Sequence, residues 1–334
     1  MIPEDKKAAV AIGLREAFGV DQFDEITPLN DGLSTALVFR ISILGKSYLL
    51  KVITRTDEIS DPTKQFNCMR AGAEAGLAPQ VQYTSIPDRI SITDFVEKKR
   101  FSIDDARVRM PDLLKRLHML PPFPRPHFNY LGVAELYSKK FLDAKVLPDT
   151  MTSELFSLFS KIKNVYPRAE EDLVSCHNDV KPENLVFDGE KVLLVDWEAA
   201  FLNDRYVDLA IVANFLVGDD FSEKQLLESY FGGPVDEYKQ ARFFLMRQIL
   251  HMFYFTFLMV LESSRGEKII PDLATPGFRS FHDGMWNGEI ELKSSQVKQQ
   301  DALVHRGQLL ENLRSKRFDE ALQIVSKQHR MTTA

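Results

Sequence analysis

The sequence predicts an α+β protein of two lobes, a small antiparallel sheet on the N-terminal side and a larger, mainly helical remainder. Runs rich in β-branched and aromatic residues, separated by turn residues, cluster before residue 97. Beyond that point apolar positions recur mostly at helical spacing. A chain of 334 residues also exceeds what one core usually serves, so a division into 1–96 and 97–334 is expected.

Hydrophobic residues make up 44% and charged residues 27%, the balance of a globular chain with a sizeable core. A net charge of -6 and a pI near 5.7 argue against a nucleic-acid binder or a protein of anionic membrane surfaces. Only Cys68 and Cys176 occur, without metal-ligand spacing, so no disulfide framework is implied and a reducing, cytoplasmic setting is expected. Glu4, Asp5, Lys6, Lys7, Arg15 and Glu16 break up any apolar core of a signal peptide. Phe243 to Leu261 is the most membrane-like stretch, but Arg247, Gln248 and His251 interrupt it. It reads as a buried helix of the larger lobe, so no membrane span is expected. No internal repeat or low-complexity tract is visible, and nothing indicates an oligomeric state.

Lys6 to Phe18 has helical spacing through Ala9, Val10, Ile12, Leu14 and Phe18, and Gly19 closes it. Phe23–Pro28, Ala36–Ile43 and Ser47–Ile53 read as strands, the last two joined by the tight turn Leu44-Gly45-Lys46. Leu29 to Thr35, LNDGLST, is either a plain hairpin turn or a loop whose backbone N–H groups meet phosphates. Lys51 interrupts the apolar strand SYLLKVIT, which puts it at a sheet edge or toward an anion. A helix from Pro62 to Ala75 ends at Gly76, and the strands Val81–Thr84 and Ile90–Val96 follow. Lys98 to Arg100 is a charge run expected to be solvated.

Pro111 to Leu120 reads as a helix, and Pro121, Pro122, Pro124 and Pro126 impose an extended connection. His118 and His127, which flank it, are expected to be structural. Leu155–Val165 is an amphipathic helix. After Asp219-Asp220 the chain is helical with a break at Gly232-Gly233-Pro234, and Tyr238–Ser263 forms a long helix dense in aromatics. Val297 to Ser326 reads as two helices that part between Arg314 and Arg317, with Asp319 near the start of the second.

The chemistry is concentrated in Ser175 to Trp197, SCHNDVKPENLVFDGEKVLLVDW. Leu185–Phe187 and Val192–Val195 flank Asp188-Gly189-Glu190, a hairpin signal. Antiparallel pairing brings Asn184 and Asp196 to the same open end. An amide oxygen and a carboxylate there suit Mg²⁺, which takes its remaining ligands from water and phosphates. Asp179, five residues before Asn184, lies where a carboxylate can accept the proton of an attacking hydroxyl. Lys181 is either a surface lysine or a point charge for the transferring phosphate. Together these residues point to metal-assisted phosphoryl transfer.

With HNDVKPEN followed by LVDWE, the segment resembles the catalytic and metal-binding loops of the protein-kinase-like superfamily. It resembles more narrowly the small-molecule branch, the aminoglycoside phosphotransferases and the choline and ethanolamine kinases. NDRYVDLA (Asn203 to Ala210) is similar to segments in both groups. The resemblance implies a protein-kinase-like fold in which Asp179 is the catalytic acid-base residue, Asn184 and Asp196 hold the metal, and His177 braces the loop. Asp208 is implied to be a buried support that bonds backbone N–H groups of the catalytic loop. It further implies that Ser34, Thr35 and Lys51 meet the nucleotide phosphates. Backbone groups of Asp94, Phe95 and Val96 are implied to meet adenine at a hinge between lobes. The helix position that usually carries a glutamate partner for the strand lysine is Gln65, so another acid serves or the lysine is held less tightly.

The resemblance therefore implies an ATP- and Mg²⁺-dependent kinase of a small-molecule hydroxyl, first of all a choline- or ethanolamine-type amino alcohol. Aromatic faces hold such cations, and Tyr254, Phe257 and Trp286, the last from the loop after the long helix, are the candidates. Where choline kinases place a substrate-binding glutamate, counting lands on Phe215. An aminoglycoside or another hydroxylated metabolite is the second acceptor class. A nucleotide-binding pseudokinase acting through a partner is the reading from a different class, prompted by Gln65 and the single-glycine loop. A protein kinase is disfavoured because too few residues separate Asp196 from Asp208 for a peptide-binding loop.

Overall fold

Alternation of side chains builds the sheet, and helical stripes build most of the rest. The computed structural model describes residues 1–29, 36–57, 60–126, 128–168 and 172–333, with the side chains of 329–333 left aside. Ser34, Thr35 and His127 lie outside the described residues. Two compact units result, and the chain crosses between them several times: the first comprises 1–102, 119–124 and 179–201, the second 103–118, 125–178 and 202–334.

In the first unit, helix α1 (Glu4–Phe18) ends at Gly19, whose φ of 72° supplies the left-handed cap. Strands β1 (Glu25–Leu29), β2 (Ala36–Ile43), β3 (Lys46–Ile53), β4 (Val81–Ser85) and β5 (Ile90–Asp94) form one antiparallel sheet in the order β1-β2-β3-β5-β4. The β2–β3 turn has positive φ at both Leu44 and Gly45, as a tight hairpin of right-handed strands requires. Phe39, Ile41, Ile43, Leu50, Val52, Ile90 and Ile92 face Ala9, Val10 and Leu14 of α1 in one core. Because side chains alternate along a strand, Lys51 between Leu50 and Val52 points to the opposite face. β5 ends at Asp94, two residues before the expected Val96.

Helix α2 (Thr63–Glu74) packs on a short 3₁₀ turn, Trp197–Ala199. The contact is close because residue 72 is glycine: a Cβ there would lie 2.5 Å from the Trp197 ring. Trp197 is buried and donates its Nε1–H to the Leu194 carbonyl at 3.2 Å, so the ring is fixed from two sides.

The second unit begins with α3 (Ile103–His118). The helix expected from Pro111 instead runs through it. Ala106, Met110, Leu113, Leu114 and Leu117 make one buried stripe, and that burial outweighs the hydrogen bond a mid-helix proline forfeits. Helices α4 (Tyr130–Asp143) and α5 (Asp149–Val165) follow, then strand β6 (Leu173–Cys176). Strands β7 (Leu185–Phe187) and β8 (Val192–Leu194) belong to the first unit, and β9 (Phe201–Asp204) pairs with β6.

The remaining helices are α6 (Tyr206–Leu216), α7 (Asp220–Phe231), α8 (Glu237–Ser264), α9 (Phe278–Trp286), α10 (Ser295–Leu313) and α11 (Lys316–Thr333). α8 is long and apolar enough to cross a membrane by length and composition, yet most of it is buried against α4, α6, α10 and α11. Its buried Arg242 is neutralised by Asp172 at 2.5 Å and Asp204 at 2.7 Å. Trp286 ends helix α9 instead of lying in a loop, because Phe278, Phe281, His282 and Met285 form a helical stripe.

Gly72→Ala tests the α2 packing. Helix propensity alone would gain up to about 1 kcal/mol, but the methyl meets a ring with no room to move, and overpacking costs about 1–3 kcal/mol. Chemical denaturation should show reduced stability; an unchanged or raised midpoint would mean the ring yields.

Candidate active site

The β7–β8 hairpin sets the first group of side chains. Leu185 pairs with Leu194 and Phe187 with Val192, and the Val195 N–H donates to the Asn184 carbonyl at 3.0 Å. Asp188 closes the turn by accepting from the Glu190 and Lys191 N–H groups at 2.7 and 2.8 Å, while Gly189 takes a φ of 103°. Asn184 and Asp196 thus emerge from the same end. Asp196 has φ 60° and ψ 68°, a left-handed conformation that costs energy for a residue with a Cβ. This turn redirects the chain so that the Asp196 carboxylate leaves the hairpin toward Lys51.

Lys51 Nζ lies 3.0 Å from Asp196 Oδ1 and 2.8 Å from Glu198 Oε1. Burial pulls the ammonium down, but the two carboxylates outweigh it and hold Lys51 above its ordinary value. Glu198, the acid of LVDWE, is therefore the second carboxylate on the strand lysine, and Gln65 lies buried on α2. Sequence reasoning left open which acid would serve. The signal was present as the glutamate two residues after Asp196, but only the 3₁₀ turn at Trp197 shows that it comes back to β3.

Asn184 donates through Nδ2 to Asp179, to the carbonyl at 2.9 Å and to Oδ2 at 2.8 Å. This directs its Oδ1, the atom that can bind a hard cation, away from Asp179. Asp196 uses Oδ1 on Lys51, which leaves Oδ2 outside that pair. The donor set, an amide oxygen and carboxylate oxygens at one hairpin end, fits a magnesium-class ion. Lys181 Nζ stands 3.0 Å from Asp179 Oδ2. Burial lowers its affinity for a proton, and Asp179, with Glu183 and Asp196 adding to it, raises that affinity to a net value above the ordinary one.

At the sheet end, the Asp94 N–H donates to the Gln80 carbonyl at 2.8 Å and the Phe95 N–H to the Ser47 carbonyl at 3.2 Å. Among the described residues the Val96 N–H has no backbone acceptor. The Phe95 ring carries the Arg40 guanidinium at 4.5 Å.

In the second unit, Asp208 on α6 is fully buried. It accepts the His177 N–H at 2.9 Å and the Asn178 N–H at 2.7 Å, the two residues that precede Asp179. His118 Nε2 approaches the same carboxylate at 3.1 Å, and its Nδ1 lies 2.7 Å from the Tyr230 hydroxyl. Burial keeps Tyr230 protonated well above its ordinary range, so it donates to Nδ1, and His118 donates from Nε2 to Asp208. His118 and Tyr230 thereby support a carboxylate whose sequence neighbours gave no hint of them. The aromatic candidates have separate surroundings. Tyr254 stacks on His305 at 4.7 Å, Phe257 packs on Tyr137 at 5.0 Å and Phe253 at 5.2 Å, and Trp286 lies 6.0 Å from Phe215.

A family model described as the phosphotransferase enzyme family matches residues 25–244. An aminoglycoside 3'-phosphotransferase of Streptomyces ribosidificus is 26% identical over 256 residues, covering 65% of this chain and 92% of that protein. Protein LicA of Haemophilus influenzae is 28% identical over 103 residues, 31% of this chain; the match spans only 36% of LicA. Among solved structures, a choline/ethanolamine kinase family protein from Mesorhizobium loti superposes with a TM-score of 0.64 at 18% identity, covering 96% of this chain and 99% of that one. Choline kinase LicA from Streptococcus pneumoniae gives a TM-score of 0.60 at 14% identity, with 93% and 99% covered. At these identities the structural likeness shows the fold.

Asp208→Ala removes the acceptor of two buried backbone N–H groups, each worth about 1–3 kcal/mol when orphaned. Denaturant unfolding should show a loss of about 2–5 kcal/mol; a loss below about 1 kcal/mol would mean those groups find other partners.

Proposed function

Because the chain belongs to the phosphotransferase enzyme family, we propose that it transfers the γ-phosphoryl group of ATP to a hydroxyl of a small molecule, with Mg²⁺ as the metal cofactor. The observation that carries this reading is the pair of charge clusters in the first unit, Lys51 with Asp196 and Glu198, and Lys181 with Asp179 and Asn184. Asp179 orients the acceptor hydroxyl and takes its proton as the oxygen bonds to phosphorus and ADP leaves. Lys181 follows the charge from the Asp179 carboxylate to the transferring group. Lys51, with Ser34 and Thr35 of the preceding loop, steadies the nucleotide phosphates, and Val96 offers its N–H to adenine.

Asn184 Oδ1 and Asp196 Oδ2 would hold the metal, which would neutralise charge on the phosphates. Most of the rate acceleration then comes from positioning and charge compensation. The expected setting is the cytoplasm.

The acceptor we favour is an amino alcohol of the choline or ethanolamine type. The likeness to a choline/ethanolamine kinase family protein over nearly the whole chain supports it, and Tyr254, Phe257 and Trp286, which have separate surroundings, are the aromatic candidates for its cation. An aminoglycoside is the second reading, supported by the relative that matches over 256 residues.

ADP release measured over amino alcohols, thiamine, aminoglycosides and sugars tests the acceptor. Turnover on an amino alcohol supports the first reading, and turnover confined to aminoglycosides replaces it with the second. ATP binding with no turnover on any of them would instead indicate a pseudokinase. Asp179→Asn should lower kcat by about 10²–10⁴-fold while leaving ATP affinity nearly unchanged. Turnover at the parent rate would remove Asp179 from the mechanism.

A further inference from the structure

Three histidines and an aspartate that the phosphotransfer reading does not use meet inside the second unit. His251 comes from α8, His282 from α9, and Asp301 and His305 from one face of α10. Each is at most 3% exposed. One ligand atom each of His282, Asp301 and His305 lies within 4.8 Å of the others.

The hydrogen bonds decide where the lone pairs are. His282 Nδ1 lies 2.9 Å from the Phe278 carbonyl, which can only accept, so Nδ1 carries the proton and Nε2 presents a lone pair. An imidazole fixed in this way by a backbone carbonyl is the usual arrangement of a metal-binding histidine. His305 Nδ1 lies 2.8 Å from His251 Nδ1, and its Nε2 stands 3.4 Å from Asp301 Oδ1. That second separation is long for a hydrogen bond. It matches the roughly 3.3 Å between two ligands that share one ion tetrahedrally at bond lengths of about 2.0–2.1 Å.

All three imidazoles are buried together with the Asp301 carboxylate. Lys298, one turn earlier on α10, is paired with Glu262 at 3.7 Å.

We propose that His282, Asp301 and His305 form a buried structural site for a divalent transition-metal ion, with His251 as the positioning residue behind His305. Two imidazole nitrogens and one carboxylate suit a zinc- or iron-class ion over magnesium. A second Asp301 oxygen or one water completes four-coordination. With His305 bound through Nε2, its Nδ1–H donates to His251 Nδ1. The proton of His251 then sits on Nε2, a buried atom with no hydrogen-bond partner among the described residues. The ion would tie α9 to α10. The alternative arrangement is metal-free, with His251 donating to His305 and His305 to Asp301.

Metal content decides between them. The full chain is expressed in minimal medium supplied with Zn²⁺, Fe²⁺ or Co²⁺, passed through gel filtration with excess Mg²⁺, and analysed for metal per chain. The expected result is close to one equivalent of a transition metal, with visible ligand-field absorption in the cobalt form. Asp301→Asn and His282→Gln should lower occupancy at least about tenfold, whereas Asp196→Asn, altered in the first unit, should retain it. Circular dichroism identifies any variant that does not fold, and His305→Gln then takes its place. Occupancy below about a tenth of an equivalent with every metal, or equal occupancy in the folded variants, would overturn the site. Neither result bears on phosphoryl transfer.

Discussion

The first unit holds several carboxylates close together and pairs them with lysines. Asp196 and Glu198 share Lys51, and Asp179 is held by Lys181. Lys181 also feels Asp196, the weakest of the carboxylates acting on it. Such a site is preorganised for polyanionic phosphates only when cations are added to it. Lys51 and Lys181 serve that purpose, and under the proposed mechanism a divalent ion joins them when the nucleotide arrives. The attraction that favours Lys51 as a cation is thus the same attraction that orients the Asp196 and Glu198 carboxylates.

Backbone geometry makes those charges meet. The hairpin aligns Asn184 with Val195, and the left-handed turn at Asp196 carries the carboxylate beyond the strand. Trp197, wedged against Gly72, then returns Glu198 toward β3. In the second unit, Asp208 spends both oxygens on the backbone just before Asp179. Loop residues that must keep a fixed conformation while binding and releasing substrate need such an anchor, because they bury little apolar surface of their own. His118 and Tyr230 complete it by giving the buried carboxylate a third donor.

Much of this was legible because the governing patterns are local. The apolar run around Leu50, Lys51 and Val52 gave the strand, with the lysine left at a sheet edge or toward an anion, and Leu44-Gly45 gave the tight turn between β2 and β3. Asp188-Gly189 likewise announced the hairpin that aligns Asn184 and Asp196. What escaped depends on contacts distant in sequence. α3 passes through Pro111 because its stripe is buried by other helices, and α4 and α9 were absent from the reading. Glu198 could be named as an available acid only once the turn at Trp197 was seen to fold back. The union of His251, His282 and His305 comes from three helices, so no spacing in the chain encodes it.

Under the proposed function the acceptor is chosen by side chains of the second unit, whereas the reaction type rests on the charge balance of the first. That balance is tested most directly by equilibrium ATP binding measured as a function of Mg²⁺ in the parent protein and in Asp196→Asn. The account predicts that Mg²⁺ tightens ATP binding by about tenfold or more in the parent and has almost no effect in the variant. ATP affinity independent of Mg²⁺ in the parent, or an undiminished Mg²⁺ effect in Asp196→Asn, would contradict it.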